Sequence, residues 1–228
     1  MKTSCSSLHG KKLPALLIVA SIACISLLIV RAVITSHLHF WFLGWNLFLA
    51  WIPFVVAILL KRATAQHAAG WKTGLLFFCW LLFFPNAPYI LTDLFHLRER
   101  APVPLWFDLA LIASFAWNGL MLGFISLLEV QDFLRSKFSA SFSWITVSFL
   151  LFLCGFGIYL GRYVRWNSWD LFTNPLELMK DTAQRFFHPF EHPRTMGVTL
   201  LFWSFLMINY SILAFLRSNN QSIENKSK

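Results

Sequence analysis

Five polar side chains recur at steps of three and four residues in the stretch PNAPYILTDLFHLRER. They are Asn86, Tyr89, Asp93, His96 and Arg100. If the chain continued as a helix here, this spacing would place all five on one face. There, Asp93 could act as a general base or metal ligand and His96 as a proton shuttle, since imidazole titrates near neutral pH. We therefore predict these two as catalytic, with Asn86 and Tyr89 binding substrate.

The same polar stripe also has a structural interpretation. A carboxylate near the edge of the hydrocarbon is costly unless it is paired or functional. Asp93 would then pair with Arg162 or Arg165 and join two membrane spans, while Asn86 would cap a broken helix. The residues alone leave both interpretations open.

A second polar stretch, GRYVRWNSWD, has the residue types of a ligand site. Two arginines one turn apart at a helix end could clamp a phosphate or carboxylate. Tryptophans beside polar groups would suit a sugar or the head group of an amphiphile, although they are also typical of an interfacial belt. The predicted binding residues here, with one acidic residue before the fourth span, are Arg162, Arg165, Trp166, Asn167, Trp169, Asp170 and Asp108.

The sequence HPFEH could hold a metal, but it is not the zinc motif HExxH. Pro189 stands where that motif has glutamate, and proline disrupts the helix that the motif requires. The four cysteines show no CxxC spacing, so neither a disulfide framework nor a zinc site is indicated. We predict no metal and no cofactor.

The composition is that of an integral membrane protein. Of 228 residues, 57% are hydrophobic and 13% are charged, whereas a soluble domain carries about a quarter charged residues. The 25 phenylalanines and 11 tryptophans suit lipid and its interfaces. The net charge of +9 is scattered in short clusters without a basic stripe, so we predict membrane lipids as partners and no nucleic acid.

Runs of roughly 20 apolar residues predict an all-α fold, a polytopic bundle of six transmembrane helices. The third span is predicted to break at Pro85 and Pro88, and the first to remain uncleaved. The segments are a cytoplasmic tail 1–12, one transmembrane domain 13–216 and a disordered cytoplasmic tail 217–228. The predicted spans are 13–34, 40–60, 72–91, 104–128, 142–162 and 197–216.

The distribution of Lys and Arg predicts the orientation. With the N-terminus inside, eleven of these residues lie on the cytoplasmic side and eight outside, five of the latter in the loop 163–196. Both termini are then cytoplasmic, and both polar stretches lie at the outer face. In the long loop, Asn174 as N-cap and Pro175 at the first helical position predict an amphipathic helix, either on the membrane surface or as a lid.

The motifs FPNAPYILTDLFHL and GRYVRWNSWD together resemble a bacterial family of membrane proteins catalogued as domain of unknown function 1361. The resemblance covers the chain from about the second to the sixth span and implies a polytopic bacterial membrane protein. It implies no activity, and the sequence identifies no protein partner.

Two functional hypotheses follow from the residues. The first is an enzyme of the bacterial plasma membrane that acts at the outer face on a lipid-linked or envelope-glycan substrate. The second is a non-catalytic transporter, lipid-handling protein or assembly scaffold, in which the polar residues form structural ion pairs.

Overall fold

The computed structural model describes residues 4–164, 173–188 and 191–226 of the chain. Within these ranges the chain forms helices and turns and no strand, with one isolated bridge between Arg100 and Val103. Six helical segments are long and apolar enough to cross a membrane, which confirms the predicted all-α polytopic fold. They are Lys12–Thr35, Trp41–Ala65, Gly70–His96, Leu105–Lys137, Ala140–Val164 and Pro193–Asn220.

The chain divides into two compact units, Met1–Val130 and Gln131–Lys228. The prediction of one transmembrane domain with two terminal tails is not tested by this division and stays a prediction. Unit 1 contains four helices, a 3₁₀ segment and most of a fifth helix, whose last turns, from Gln131 on, belong to unit 2. They are α1 (Ser4–Thr35), α2 (Trp41–Ala65), α3 (Gly70–Phe83), α4 (Asn86–Tyr89), the 3₁₀ segment (Ile90–His96) and α5 (Leu105–Lys137).

The third span breaks where the two prolines predict it. Helix α3 ends at Phe83, and the Asn86 side-chain amide donates to the Phe83 carbonyl at 3.0 Å. Because Pro85 and Pro88 lack backbone N–H groups, a regular helical ladder cannot continue, and the chain tightens into the short α4 and the 3₁₀ segment. The backbone becomes extended at Leu97. The polar stripe is therefore not one helical face through to Arg100.

Two glycines on α5 receive the broken segment. A Cβ at Gly123 would approach the Ala87 Cβ to 2.8 Å, and one at Gly119 would approach the Ile90 Cγ2 to 2.6 Å. Glycines four residues apart allow helices to approach closely within a membrane. This contact places α4 and the start of the 3₁₀ segment directly on α5.

Unit 1 has a continuous apolar core between these elements. Buried side chains from each long segment meet in it, for example Leu17 of α1, Leu47 of α2 and Phe115 of α5. By contrast, α1 exposes much of its apolar surface, including Leu16 and Ile22. Exposed apolar side chains along a hydrophobic helix are what contact with lipid tails requires.

A partly buried polar cluster links three helices of unit 1. The Ser21 hydroxyl accepts hydrogen bonds from the Trp51 indole at 3.0 Å and from the Asn118 amide at 2.8 Å, and it donates to the Leu17 carbonyl. In the third span, the fully buried Trp80 donates to the Ser126 hydroxyl of α5 at 3.2 Å. Such bonds between helices replace the water that hydrocarbon cannot supply.

Unit 2 is built on the packing of two long helices. Its elements are α6 (Ala140–Tyr159), a π-helical turn (Leu160–Val164), α7 (Pro175–Phe187) and α8 (Pro193–Lys226). A Cβ at Gly155 of α6 would lie 2.7 Å from the Thr199 carbonyl oxygen of α8, so this glycine sets the distance between the two backbones. Further along, the Tyr210 hydroxyl donates to the Gln131 side chain at 2.8 Å.

Helix α7 begins where its sequence signals predict. It begins at Pro175 directly after Asn174, although the Asn174 side chain makes no capping hydrogen bond. At its C-terminal end, Arg185 donates to the Tyr159 hydroxyl at 3.1 Å, and Phe186 makes an edge-to-face contact with Phe156. These contacts attach α7 to the end of α6, and Leu176 remains exposed.

Replacing Gly123 with alanine should destabilise unit 1 by about 1–3 kcal/mol, because the Ala87 Cβ belongs to a rigid backbone and cannot move aside. Gly74→Ala is the matched control, since a Cβ there meets nothing within 4 Å. Thermal unfolding of the purified chain in detergent measures both variants. Equal melting temperatures for the two would contradict the close contact between α4 and α5.

Candidate functional site

Polar side chains gather at the end of unit 1 where α1 ends and α2 begins. We call this group the polar end. It consists of Arg31, Asn46, Asp93, His96, Arg100 and Asp108. The last residues of α1, the first turns of α2, the 3₁₀ segment and the first turn of α5 supply most of it, and the loop that follows the 3₁₀ segment supplies Arg100.

The centre of the polar end is a buried, bidentate ion pair. The Arg31 Nε donates to Asp108 Oδ1 at 3.0 Å and Nη2 donates to Oδ2 at 3.1 Å, while the side chains are 3% and 1% exposed. The Arg31 Nη1 donates to the Thr35 hydroxyl at 3.1 Å. A fork-to-fork pair of this geometry satisfies both carboxylate oxygens. Asp108, predicted as a substrate ligand, is thus held by a partner within the protein.

Asp93 is also buried, with 1% of its surface exposed. Its Oδ2 accepts a hydrogen bond from the Asn46 side-chain amide of α2 at 2.8 Å. The 3₁₀ segment has three residues per turn, so Asp93 and His96 are stacked along one edge. The predicted pairing of Asp93 with Arg162 or Arg165 stays a prediction, because Arg162 belongs to unit 2 and Arg165 lies outside the described residues.

The other residues of the first polar stretch have separate roles in local structure. Asn86 and Tyr89 are half-buried, and Asn86 caps the end of α3 while the Tyr89 carbonyl accepts from the Thr92 hydroxyl at 2.7 Å. The His96 ring is half-buried and lies 4.9 Å from the Phe42 ring. Nothing in these contacts tests the substrate-binding or catalytic roles, which stay predictions.

Two arginines flank a single buried ring at the polar end. The Cζ atoms of Arg31 and Arg100 lie 4.8 Å and 5.3 Å from the centroid of Phe40, the residue before α2. The pKa of the neighbouring His39 is lowered, first by partial desolvation and then by the Arg100 and Arg31 cations, while Asp108 acts in the opposite direction. The two arginines therefore add to the effect of desolvation on His39, and Asp108 opposes them.

Most of the second polar stretch lies outside the described part of the chain. Arg162 is half-buried in the π-helical turn of unit 2. The predicted meeting of this stretch with the first joins residues of different units, so it too stays a prediction. Its remaining predicted residues lie outside the described part of the chain: Arg165, Trp166, Asn167, Trp169 and Asp170.

Among the residues that the structure describes, no group of three or more His, Cys, Asp or Glu side chains could hold a metal ion. The asparagines inside the spans differ from one another. Asn118 bonds between helices, whereas Asn209 donates to the Phe205 carbonyl of its own helix at 2.8 Å.

Sequence reasoning missed two members of the polar end. Arg31 was counted only for orientation, and Asn46 was not considered. The sequence did carry a signal for both. Arg31 is a charged residue at the end of a span and Asn46 is an amide inside one, and each is costly in a membrane without a partner. Their partners, 77 and 47 residues away, could not be read from spacing.

The fold and the polar end define an α-helical, multi-pass membrane protein. Residues 45–209 match the model of a family described as "Protein of unknown function (DUF1361)". The chain belongs to this family, as the resemblance of its two polar motifs predicts. No curated protein and no solved structure matches the chain.

Breaking the Arg31–Asp108 pair on one side should destabilise the protein by about 3–5 kcal/mol, because a buried charge is left without its partner. Asp108→Leu and Arg31→Met test each side, and the double variant should be far less destabilised than either single variant. Thermal unfolding in detergent provides the comparison. If the losses in the single variants simply add in the double variant, the two residues are not coupled.

Proposed function

We propose that the protein is a non-catalytic, amphiphile-handling component of the bacterial plasma membrane. In this proposal the chain crosses the membrane several times, both termini are cytoplasmic, and the polar end of unit 1 faces the extracytoplasmic side. Membrane lipids are its partners, and a lipid-linked or glycan-bearing amphiphile is its ligand. The observation that carries the proposal is the buried pair of Arg31 and Asp108.

The two acidic groups of the polar end support a structural role better than a catalytic one. Asp108 uses both of its oxygens on Arg31, and Asp93 is almost fully buried with an amide donor on one oxygen. A general base must reach the proton that it removes, within about 2.6–3.2 Å or through one water. Carboxylates that are enclosed in this way suit a structural role, in which they hold the ends of helices together.

The proposed orientation is supported by charge at the opposite end of unit 1. Lys61 and Arg62 lie at the end of α2, and Lys72 lies at the beginning of α3. Positive residues in short loops favour the cytoplasmic side. The polar end would then face outward. Helix α7, with Leu176, Met179 and Phe187 exposed, would by itself suit a membrane interface.

An enzyme is the second candidate, and one observation favours it. Asp93 and His96 stack along one edge of the 3₁₀ segment, and His96 is half-buried, so both could meet a substrate if the segment opened. In that case Asp93 would be the base and His96 the proton shuttle for a lipid-linked or glycan substrate. A transporter is supported by the broken third span, which is a device that such proteins use.

The proposal predicts that Asp93→Asn and His96→Ala lower protein abundance but keep function per molecule. Each change weakens a packing or hydrogen-bond contact of the polar end, with Asn46 or with the Phe42 ring respectively. The measurement is membrane abundance together with mass spectrometry of envelope lipids and glycans in a deletion strain that expresses each variant. Glu99→Gln, an exposed acid of the same region, is the control.

In the deletion strain we expect the same chemical species as in the parent, with altered amounts or distribution between leaflets. Each variant should restore the parental profile once its level is matched to wild type. Accumulation of an unprocessed precursor that Asp93→Asn fails to clear at matched level would overturn the non-catalytic proposal and support the enzyme.

A further inference from the structure

The turn between α1 and α2, residues 36–40, has an unusual and firmly held backbone. Ser36 has φ of 55°, in the left-handed region that residues other than glycine seldom adopt. The Thr35 hydroxyl links this turn to Arg31, since it accepts from the His37 N–H at 3.4 Å and from Arg31 Nη1 at 3.1 Å. The buried ion pair of Arg31 therefore also determines the position of this turn.

A cavity of about 200 Å³ opens beside the turn. Leu28 and Ile29 of α1 form an apolar wall, and Arg31 and His37 supply polar groups. Trp41, which is 64% exposed, stands at the rim. Complete small-molecule sites occupy roughly 300–1,000 Å³, so this volume suits one part of a ligand rather than the whole.

Arg100 supplies a cation that no carboxylate of the described residues neutralises. Arg100 does not line the cavity itself but stands next to Phe40, which does, with its Cζ 5.3 Å from the centroid of the Phe40 ring. Arg100 Nη1 donates to the His96 carbonyl at 3.0 Å, and no carboxylate in the described part of the chain pairs with this guanidinium. An arginine has five N–H donors, which leaves several for a ligand. Arg31, in contrast, is neutralised by Asp108.

Two further features make the site attractive to an anion. The residue before α2 is Phe40, whose side chain cannot cap that helix. The Trp41 and Leu43 N–H groups donate to the Leu38 and Phe40 carbonyls, so the helix end contributes the partial positive charge of a helix N-terminus. The pKa of His39 is lowered first by desolvation, and the Arg100 and Arg31 cations lower it further. An anion placed here would be stabilised by the arginine, the helix end and the turn together.

We propose that the turn 36–40 and Arg100 bind the phosphate group of an amphiphile, whose chain lies along the apolar wall that α1 forms. The inference rests on the proposed amphiphile-handling function and names its ligand class and its residues. The guanidinium fork suits phosphate geometry, and an exposed tryptophan at the rim suits the level of lipid head groups.

The test uses the full-length chain, purified in an uncharged detergent, with three probes. Dodecyl phosphate carries the anion and a chain, inorganic phosphate carries the anion alone, and dodecylglycerol carries a chain without charge. Binding constants are measured for wild type, Arg100→Gln and Arg98→Gln. Arg98 is the matched control, because it is an exposed cation two residues away.

We expect dodecyl phosphate to bind wild type and Arg100→Gln to weaken it by about tenfold or more, the range for losing a hydrogen bond to a charged group. Arg98→Gln should stay within about twofold, as surface charges contribute little. Inorganic phosphate should bind far more weakly than dodecyl phosphate because it lacks the chain. If Arg100→Gln does not fold, Arg100→Lys replaces it in the test. This variant keeps the positive charge but loses the paired N–H donors of the guanidinium.

Equal loss in Arg98→Gln and Arg100→Gln would overturn the site, because it would indicate general attraction to a basic surface. Equal binding of dodecylglycerol and dodecyl phosphate would overturn the phosphate class while leaving amphiphile handling in place. Binding of inorganic phosphate as tight as that of dodecyl phosphate would assign the site to free phosphate instead. If neither amphiphile binds folded wild type, both this inference and the proposed function fail.

Discussion

The buried pair of Arg31 and Asp108 is the interaction on which the polar end of unit 1 depends. It joins the end of α1 to the start of α5, and the same guanidinium holds Thr35 and contacts the Phe40 ring. Charges enclosed in this way are stable only when each oxygen and each donor has a partner. The pair therefore fixes the turn between α1 and α2, and through Phe40 it fixes the place where Arg100 approaches.

The second constraint is the break in the third span. Pro85 and Pro88 end the regular helix, and the glycines at 119 and 123 let the broken segment lie directly against α5. That contact carries Asp93 into the interior, where the Asn46 amide of α2 meets it. The prolines of the third span and the glycines of α5 thus together determine the position of the Asp93 carboxylate. A continuous helix would have placed it differently.

Much of the fold could be predicted from the sequence, because hydropathy and proline act locally. The six spans follow from apolar runs, the end of α3 from Pro85 and Pro88, and the start of α7 from Asn174 and Pro175. The polar end was only half predictable. Asp93, His96 and Asp108 stand out as polar groups near the ends of apolar spans, but which residue each one meets depends on long-range packing.

Asp108 shows this limit most clearly. Its sequence position suggested a group available to a ligand, whereas its partner Arg31 lies 77 residues earlier and was counted only as a topogenic charge. In the structure Asp108 is neutralised by Arg31 and Asp93 accepts from the Asn46 amide, whereas no carboxylate of the described residues pairs with Arg100. The spacing of Gly119 and Gly123, four residues apart, does indicate from the sequence that another segment packs closely on α5.

The most direct test of this central claim is an experimental structure of the full chain in a bilayer that contains lipids with anionic phosphate head groups. The account predicts that Asp108 remains paired with Arg31 and that a head-group phosphate lies against Arg100 and the turn 36–40. Asp108 turned away from Arg31 toward an open cavity, with no anion at Arg100, would contradict it.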